Sequence, residues 1–191
     1  MSEIFDIKDY QPSKNEGFFF DTNVWLYITY PAGDYDKEQQ TSYSDFMTKI
    51  LSNGAKVFIT PSLISEFCNR YLRNEFYILK QSDPVKYKDF KKDFRPDQQY
   101  KESVIFLQAT IKAQLLKLTT LMNFDCTVSE LETIINKLYE IDFNDTYYSL
   151  LAKKHGYKIV THDYDFVHLD VPVCTSNPNL LRFKTRQKKK K

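Results

Sequence analysis

Apolar residues fall along this chain in two patterns. Five short runs, "GFFFD" (17–21), "KVFIT" (56–60), "FDCTV" (124–128), "YKIVT" (157–161) and "VPVCT" (171–175), lie between polar and turn-forming stretches. Runs of that length suit buried strands, and the third is the weakest of the five. Elsewhere apolar positions recur at helical spacing. Tyr43, Phe46, Met47, Ile50 and Leu51 share one helix face, and Asn53-Gly54 supplies a stop. Val104, Leu107, Ile111, Leu115, Leu118 and Met122 predict one longer helix, and Leu131, Ile134, Ile135 and Leu138 another. Tyr148, Leu151 and Ala152 lead to a stop at His155-Gly156. Strands alternating with helices predict an α/β fold. It is a three-layer α/β/α sandwich around a mostly parallel, roughly five-stranded sheet.

Residues 81–99 fit that alternation less well. They hold Pro84 and Pro96, five basic and four acidic residues, and Tyr87, Phe90 and Phe94. They read as an excursion or mobile connection, the first part of a longer helical insertion over about 81–123. Residues 1–183, that insertion included, read as one domain. At 191 residues, 42% hydrophobic and 16% aromatic, the chain can bury a core and is not disordered. No apolar run approaches the roughly 20 residues that cross a bilayer. "MSEIFDIKDY" lacks the basic and apolar regions of a signal peptide. Cys68, Cys126 and Cys174 are odd in number and form no CxxC, so a reducing cytoplasm is expected.

The net charge of +2 hides an asymmetry. The last eight residues, "KTRQKKKK", carry six cations, which leaves 21 basic against 25 acidic residues elsewhere, a body of −4. Lys184, Arg186, Lys188, Lys189, Lys190 and Lys191 show no apolar pattern and are expected to be disordered. They would act as a solubility tail or as a mobile cationic arm.

The candidate chemistry lies in the acids. Asp21 ends a run of three phenylalanines, where it could cap a helix or belong to a site completed far along the chain. Glu66 falls within two turns of a helix start marked by Thr60 and Pro61, and helical side chains lean toward the N-terminus. Asp145 opens the helix before the fourth run, and Asp163 follows that run directly. In a parallel sheet with right-handed crossovers these positions meet at the carboxyl edge, where such folds bind ligands. Any one of them alone reads as a cap or a solvated acid. Together they would repel one another unless a cation intervened. Oxygen ligands without Cys or His suit Mg²⁺ or Mn²⁺. Of the histidines only His162 is near the acids, and it reads as an exposed turn residue. Asn23 stands where an Asp-x-Asp phosphatase needs its second Asp, and "DTNVW" lacks the glycines of a dinucleotide-binding turn.

"FFFDTN", "TPSLISEF" and "DTYYSLLAKKHGYKIVTHDYDF" resemble the opening strand, the Glu-bearing helix and the closing block of the PIN-domain family of metal-dependent nucleases. Order and spacing agree over roughly residues 17–175. The resemblance implies that Asp21, Glu66, Asp145 and Asp163 are catalytic and hold metal, with Asp165 a further ligand and Asn23 and Thr161 orienting ligands. It implies an endoribonuclease in which two Mg²⁺ or Mn²⁺ ions about 4 Å apart activate water and stabilise the leaving oxygen. The compact bacterial toxins of the family bring in a cognate antitoxin and a homodimer as partners. The insertion and the basic tail depart from them. Arg70, Arg73, Lys91, Lys92 and Arg95, with the tail cations, are the candidate RNA contacts, since cations follow phosphates and aromatics stack on unpaired bases. The rival reading is a PIN-like RNA- or protein-binding module with little turnover.

Overall fold

Phe18, Phe19 and Phe20 are all fully buried because their strand, β2 (Gly17–Phe20), lies in the middle of a sheet covered on both faces. The computed structural model describes residues 3–123 and 126–188. Its sheet has six strands, all parallel, in the order β1-β6-β5-β2-β3-β4. The others are β1 (Ile4–Asp6), β3 (Lys56–Ile59), β4 (Thr120–Leu121), β5 (Lys158–Val160) and β6 (Val173–Thr175). Seven α-helices connect or flank them: α1 (Thr22–Thr29), α2 (Lys37–Ser52), α3 (Pro61–Ser82), α4 (Gln98–Thr110), α5 (Val128–Asn136), α6 (Phe143–His155) and α7 (Pro178–Lys188). The α/β/α sandwich is as expected.

Several expected elements shift. The run 124–128 is not a strand: Val128 opens α5, Phe124 and Asp125 lie outside the described residues, and the edge strand is β4. That strand needs no apolar run, because both of its residues are exposed. β1 has no counterpart among the expected strands. It pairs with β6, Ile4 opposite Val173, a partner no local pattern announces. The stripe from Val104 to Met122 is not one helix. α4 passes into a π-helical stretch at Ile111–Leu116, and only Leu107 and Leu115 of the stripe are fully buried. α7 runs through Lys184, Arg186 and Lys188, where disorder was expected. The Asn177 side chain accepts from Asn179 N at 2.9 Å beside Pro178, which starts a helix that good formers carry onward. Lys189, Lys190 and Lys191 lie outside the described residues.

Residues 81–99 are built, not a mobile connection. Phe76, Tyr87 and Phe94 form a second buried cluster flanked by Leu79, Phe90 and Tyr100. Phe90–Phe94 is π-helical, and the Asp89 carboxylate accepts the Lys91 and Lys92 amides at 2.8 Å. Two prolines prevent a continuous helix here, but the aromatics still bury one another.

At the amino edge Glu16 ties three segments together. It accepts from the Tyr10 hydroxyl, from Lys158 Nζ at 2.6 Å and from Ser13 N at 2.6 Å. Burial alone would raise its carboxyl, but the bonds from Lys158, Tyr10 and Ser13 hold it down at about 2. Glu16→Gln should cost about 2–3 kcal/mol at neutral pH, because it strands a half-buried lysine. A depressed carboxylate contributes stability above its unfolded pKa and loses it as pH falls toward the folded one. The deficit in urea unfolding should therefore shrink between about pH 4.5 and 2.

Candidate active site

The strand order fixes where a ligand can enter. From β2 the chain turns to β3 and β4 on one side, while β5, β6 and β1 lie on the other. β2 and β5 therefore flank the switch point of the sheet, Phe20 beside Val160, and a crevice opens beyond their carboxyl ends. Asp21 follows the first of these strands directly, and Asp163 stands three residues after the second.

Asp21 has the backbone of an N-cap on α1, but its side chain makes no capping bond. It is 4% exposed, and its Oδ2 accepts from Thr161 Oγ1 at 2.8 Å. The same Thr161 hydroxyl accepts the Asp163 amide at 2.9 Å, so one threonine joins the two strand ends. Asp163 spends one oxygen on the Asp165 amide at 2.9 Å. Glu66, on the second turn of α3, has its Oε2 held by Asn144 Nδ2 at 2.9 Å and by the Tyr148 hydroxyl at 3.0 Å, both from α6. Its Oε1 lies 3.6 Å from Arg70. Three acids thus each have one oxygen fixed by a neighbour, and the second oxygen of Glu66 faces Arg70.

Burial pushes the Asp21 carboxyl up to about 6, against the Thr161 bond, with Glu66 and Asp163 adding to it and Arg70 subtracting. Asp145, in the first turn of α6, is pushed to about 8, first by burial and then by Asp21, Asp163, Asp142 and Glu66. Each of the four candidate acids therefore acts on Asp145 or is Asp145 itself. Asp165 is exposed on the short 3₁₀ turn Tyr164–His168 and is not among those charges.

Asn23 is buried with no partner for its Oδ1, and the hydroxyls of Thr22 and Thr146 are likewise unpaired. Thr22 and Thr146 adjoin Asp21 and Asp145 in sequence, Asn23 is one residue further along, and the fourth unpaired atom among the described residues, Trp25 Nε1, belongs to the same helix α1.

His162 is half-buried between Tyr27 and Tyr43 and is not an exposed turn residue. Tyr43 has one proton, and the buried Thr161 carbonyl at 3.0 Å can only accept it. His162 Nδ1 lies 3.0 Å from the same hydroxyl, and which of the two donates is set by the imidazole tautomer.

The basic candidates divide. Arg70 reaches the acids through Glu66. Arg73 and Arg95 lie 4.3 and 5.9 Å from the Phe90 ring, and Lys91 and Lys92 are exposed beside it. The side chains of Lys184, Arg186 and Lys188 lie outside the described residues. Sequence reasoning missed Asn144, Tyr148 and Asp142. Asn144 and Tyr148 are four residues apart on one helix face around Asp145, a spacing that could have pointed to them.

The family model of the PIN domain matches residues 18–172. The chain belongs to the PIN-domain family. PIN domains are generally nucleases and typically depend on a divalent metal. The donor set of this PIN domain fits such an ion in kind. It is all oxygen, it strains against its own charge, and it adjoins the unpaired Asn23 Oδ1. Among the described residues no three His, Cys, Asp or Glu side chains already form a cage, so binding would have to draw the acids together. Among solved structures this PIN domain is similar to FitAcB from Neisseria gonorrhoeae, at 19% identity over 82% of this chain and 96% of that one, TM-score 0.49. It is also similar to PAE2754 from Pyrobaculum aerophilum, at 12% identity over 92% and 94%, TM-score 0.48. No curated protein matches the chain significantly. Among the described residues no helix is long and apolar enough to cross a membrane.

Proposed function

We propose that this PIN domain is a Mg²⁺- or Mn²⁺-dependent endoribonuclease of the cytoplasm, with Asp21, Glu66, Asp145 and Asp163 as its metal-holding acids. The observation that carries the reading is the rise of the Asp145 carboxyl to about 8 through burial and the charges of the other three. A fold that keeps such repulsion without a basic partner for each acid is built to be neutralised by something it binds. Thr161, Asn144, Tyr148 and the Asp165 amide hold one oxygen of three acids, which aims the other and lowers the cost of ordering on binding. Bound there, divalent ions would lower the pKa of an attacking water and stabilise the charge of the phosphate. Arg70 adds a fixed positive charge beside Glu66 for a phosphate oxygen. Asp165 is left as an outer ligand.

A cognate antitoxin and a homodimer belong to the same proposal. Val128, Ile135, Leu138 and Tyr139, all at least half exposed on or just after α5, offer apolar surface for either. The decisive experiment is cleavage of a labelled RNA pool. Activity should appear with Mg²⁺ or Mn²⁺ and stop with EDTA. Ca²⁺ should bind without turnover, because its larger and looser shell misplaces the water. Full activity in EDTA would overturn the metal-dependent reading. Tight binding without cleavage in any metal would favour the weakly active binding module.

A further inference from the structure

Glu66 is the first residue of a line. Arg70, Arg73, Tyr77 and Lys80 follow it on α3 at spacings of four, three, four and three residues, so all five lie on one face. Glu66 is partly exposed and the other four are exposed, Tyr77 by 55% of its surface. The line starts at the acids and extends roughly 21 Å along the helix. The second aromatic cluster widens it. Phe90 carries the Arg73 guanidinium 4.3 Å from its ring centre and Arg95 at 5.9 Å, and Lys80 lies 5.7 Å from the Phe76 ring. Arg73, Lys80, Lys91, Lys92 and Arg95 make no ion pair among the described residues. An arginine held over a ring still has N–H donors for a phosphate and has less rotamer freedom to lose.

Charge points the same way. Residues 70–101 hold nine cations and five acids, an excess of four in a body that is −4 as a whole. Each of their acids has a local partner, Glu75 accepting from the Tyr30 and Ser103 hydroxyls. Asp83 accepts from Lys86 N, Asp89 from Lys91 N and Lys92 N, Asp93 from Lys88 N, and Asp97 pairs with Lys86. The cleft beside His162, by contrast, is acidic. It has a volume of about 470 Å³ and is lined by Asp6, Asp36 and Glu38, and its one lysine, Lys8, is paired with Glu38 at 3.0 Å. A polyanion is repelled from that side and admitted along α3.

We infer that the outer face of α3, from Arg70 to Lys80 with Phe90 and Arg95 beside it, is a track for single-stranded RNA. The track delivers one phosphate to the acids and stacks an unpaired base on Tyr77. This rests on the nuclease reading above and adds to it the face of the molecule along which the substrate enters. An unpaired strand is the class that fits, because alternating cations and an exposed ring suit phosphates and free base faces, and a duplex hides its faces. With the scissile phosphate at Arg70, only the substrate segment on one side of the cut lies on the track.

The test measures RNA affinity in the full chain carrying Asp21→Asn, with Mg²⁺ held constant. The parent should bind a single strand of about a dozen nucleotides more tightly than a duplex of that length. Tyr77→Ala/Lys80→Ala should weaken single-strand binding roughly tenfold through lost stacking and charge. It should flatten log K against log salt by about 0.7 for the one cation removed. Both side chains are exposed, so the unfolding midpoint should not move. Lengthening the RNA on one side of the cut should raise affinity, and on the other side should not. Unchanged affinity in the double variant, or an equal loss on duplex, overturns the track and leaves the nuclease reading intact. Polyglutamate competing as well as RNA overturns it in favour of an acidic protein partner. No RNA binding by the parent in Mg²⁺ overturns the nuclease reading itself.

Discussion

Asp21→Asn is expected to lower RNA cleavage by roughly a thousandfold, the scale on which loss of one preorganised electrostatic group acts, and to leave the metal-free protein at least as stable as before. The two effects have one cause. Asp21 is 4% exposed and its carboxyl is raised to about 6, so its charge is unwelcome in the fold until something neutralises it. Asparagine has the same shape, and its Oδ1 can still accept from Thr161 Oγ1, now 2.8 Å from Asp21. The variant therefore loses a ligand charge and little packing. The measurement pairs initial cleavage rates in Mg²⁺ with urea unfolding in EDTA at about pH 8. A variant that is inactive and also several kcal/mol less stable without metal would assign Asp21 a structural role.

Metal should also reverse the pH dependence of stability. Asp21 and Asp145 have folded pKa values of about 6 and about 8 against an ordinary 3.8, so the folded state holds their protons more tightly than the unfolded one. For such groups the stabilisation is fully present below the unfolded value and is lost as pH rises through the folded one. In EDTA the protein should lose stability between about pH 4 and pH 8, with Asp21 alone contributing on the order of 3 kcal/mol. A bound dication needs both acids charged, so its affinity rises with pH. At about a hundred times its Kd one ion stabilises by about 2.7 kcal/mol. Unfolding curves at three pH values, with and without Mg²⁺, should diverge as pH rises. Parallel curves would show that no ion binds these carboxylates.

The site elements were legible because each is announced locally. Three phenylalanines before Asp21 mark a strand buried on both faces, and Thr60-Pro61 marks the start of the helix that brings Glu66 to the edge. Gly156, with φ of +69°, closes α6 in the left-handed conformation that the stop at His155-Gly156 implied. What was not legible depends on distant partners. "IFD" near the N-terminus is a strand only because residues 173–175 lie beside it. An edge strand as short as Thr120–Leu121 has no alternation to read. Residues 81–99 read as an excursion or mobile connection, because two prolines hide the fact that Tyr87 and Phe94 meet Phe76 in space. The anchors of Glu66 were missed for a similar reason, since Asn144 and Tyr148 are 78 and 82 residues away from it. The lysines of the tail predict disorder, whereas the helix through Lys188 is set by Asn177 and Pro178 before it.

The strand order also sets a timetable. A chain made from its N-terminus has β2 and β3 in hand early, yet Phe20 meets Val160 and Asp21 meets Thr161 only when the last fifth of the sequence is being added. β1 waits longer still, for β6. Pairings across such separations close late, because the loop entropy comes before the contact. Throughout most of translation Asp21 and Glu66 are therefore on a chain that has no Asp145 and no Asp163 beside them. The nascent protein, at the ribosome and surrounded by RNA, carries the acids of its site as separate pieces.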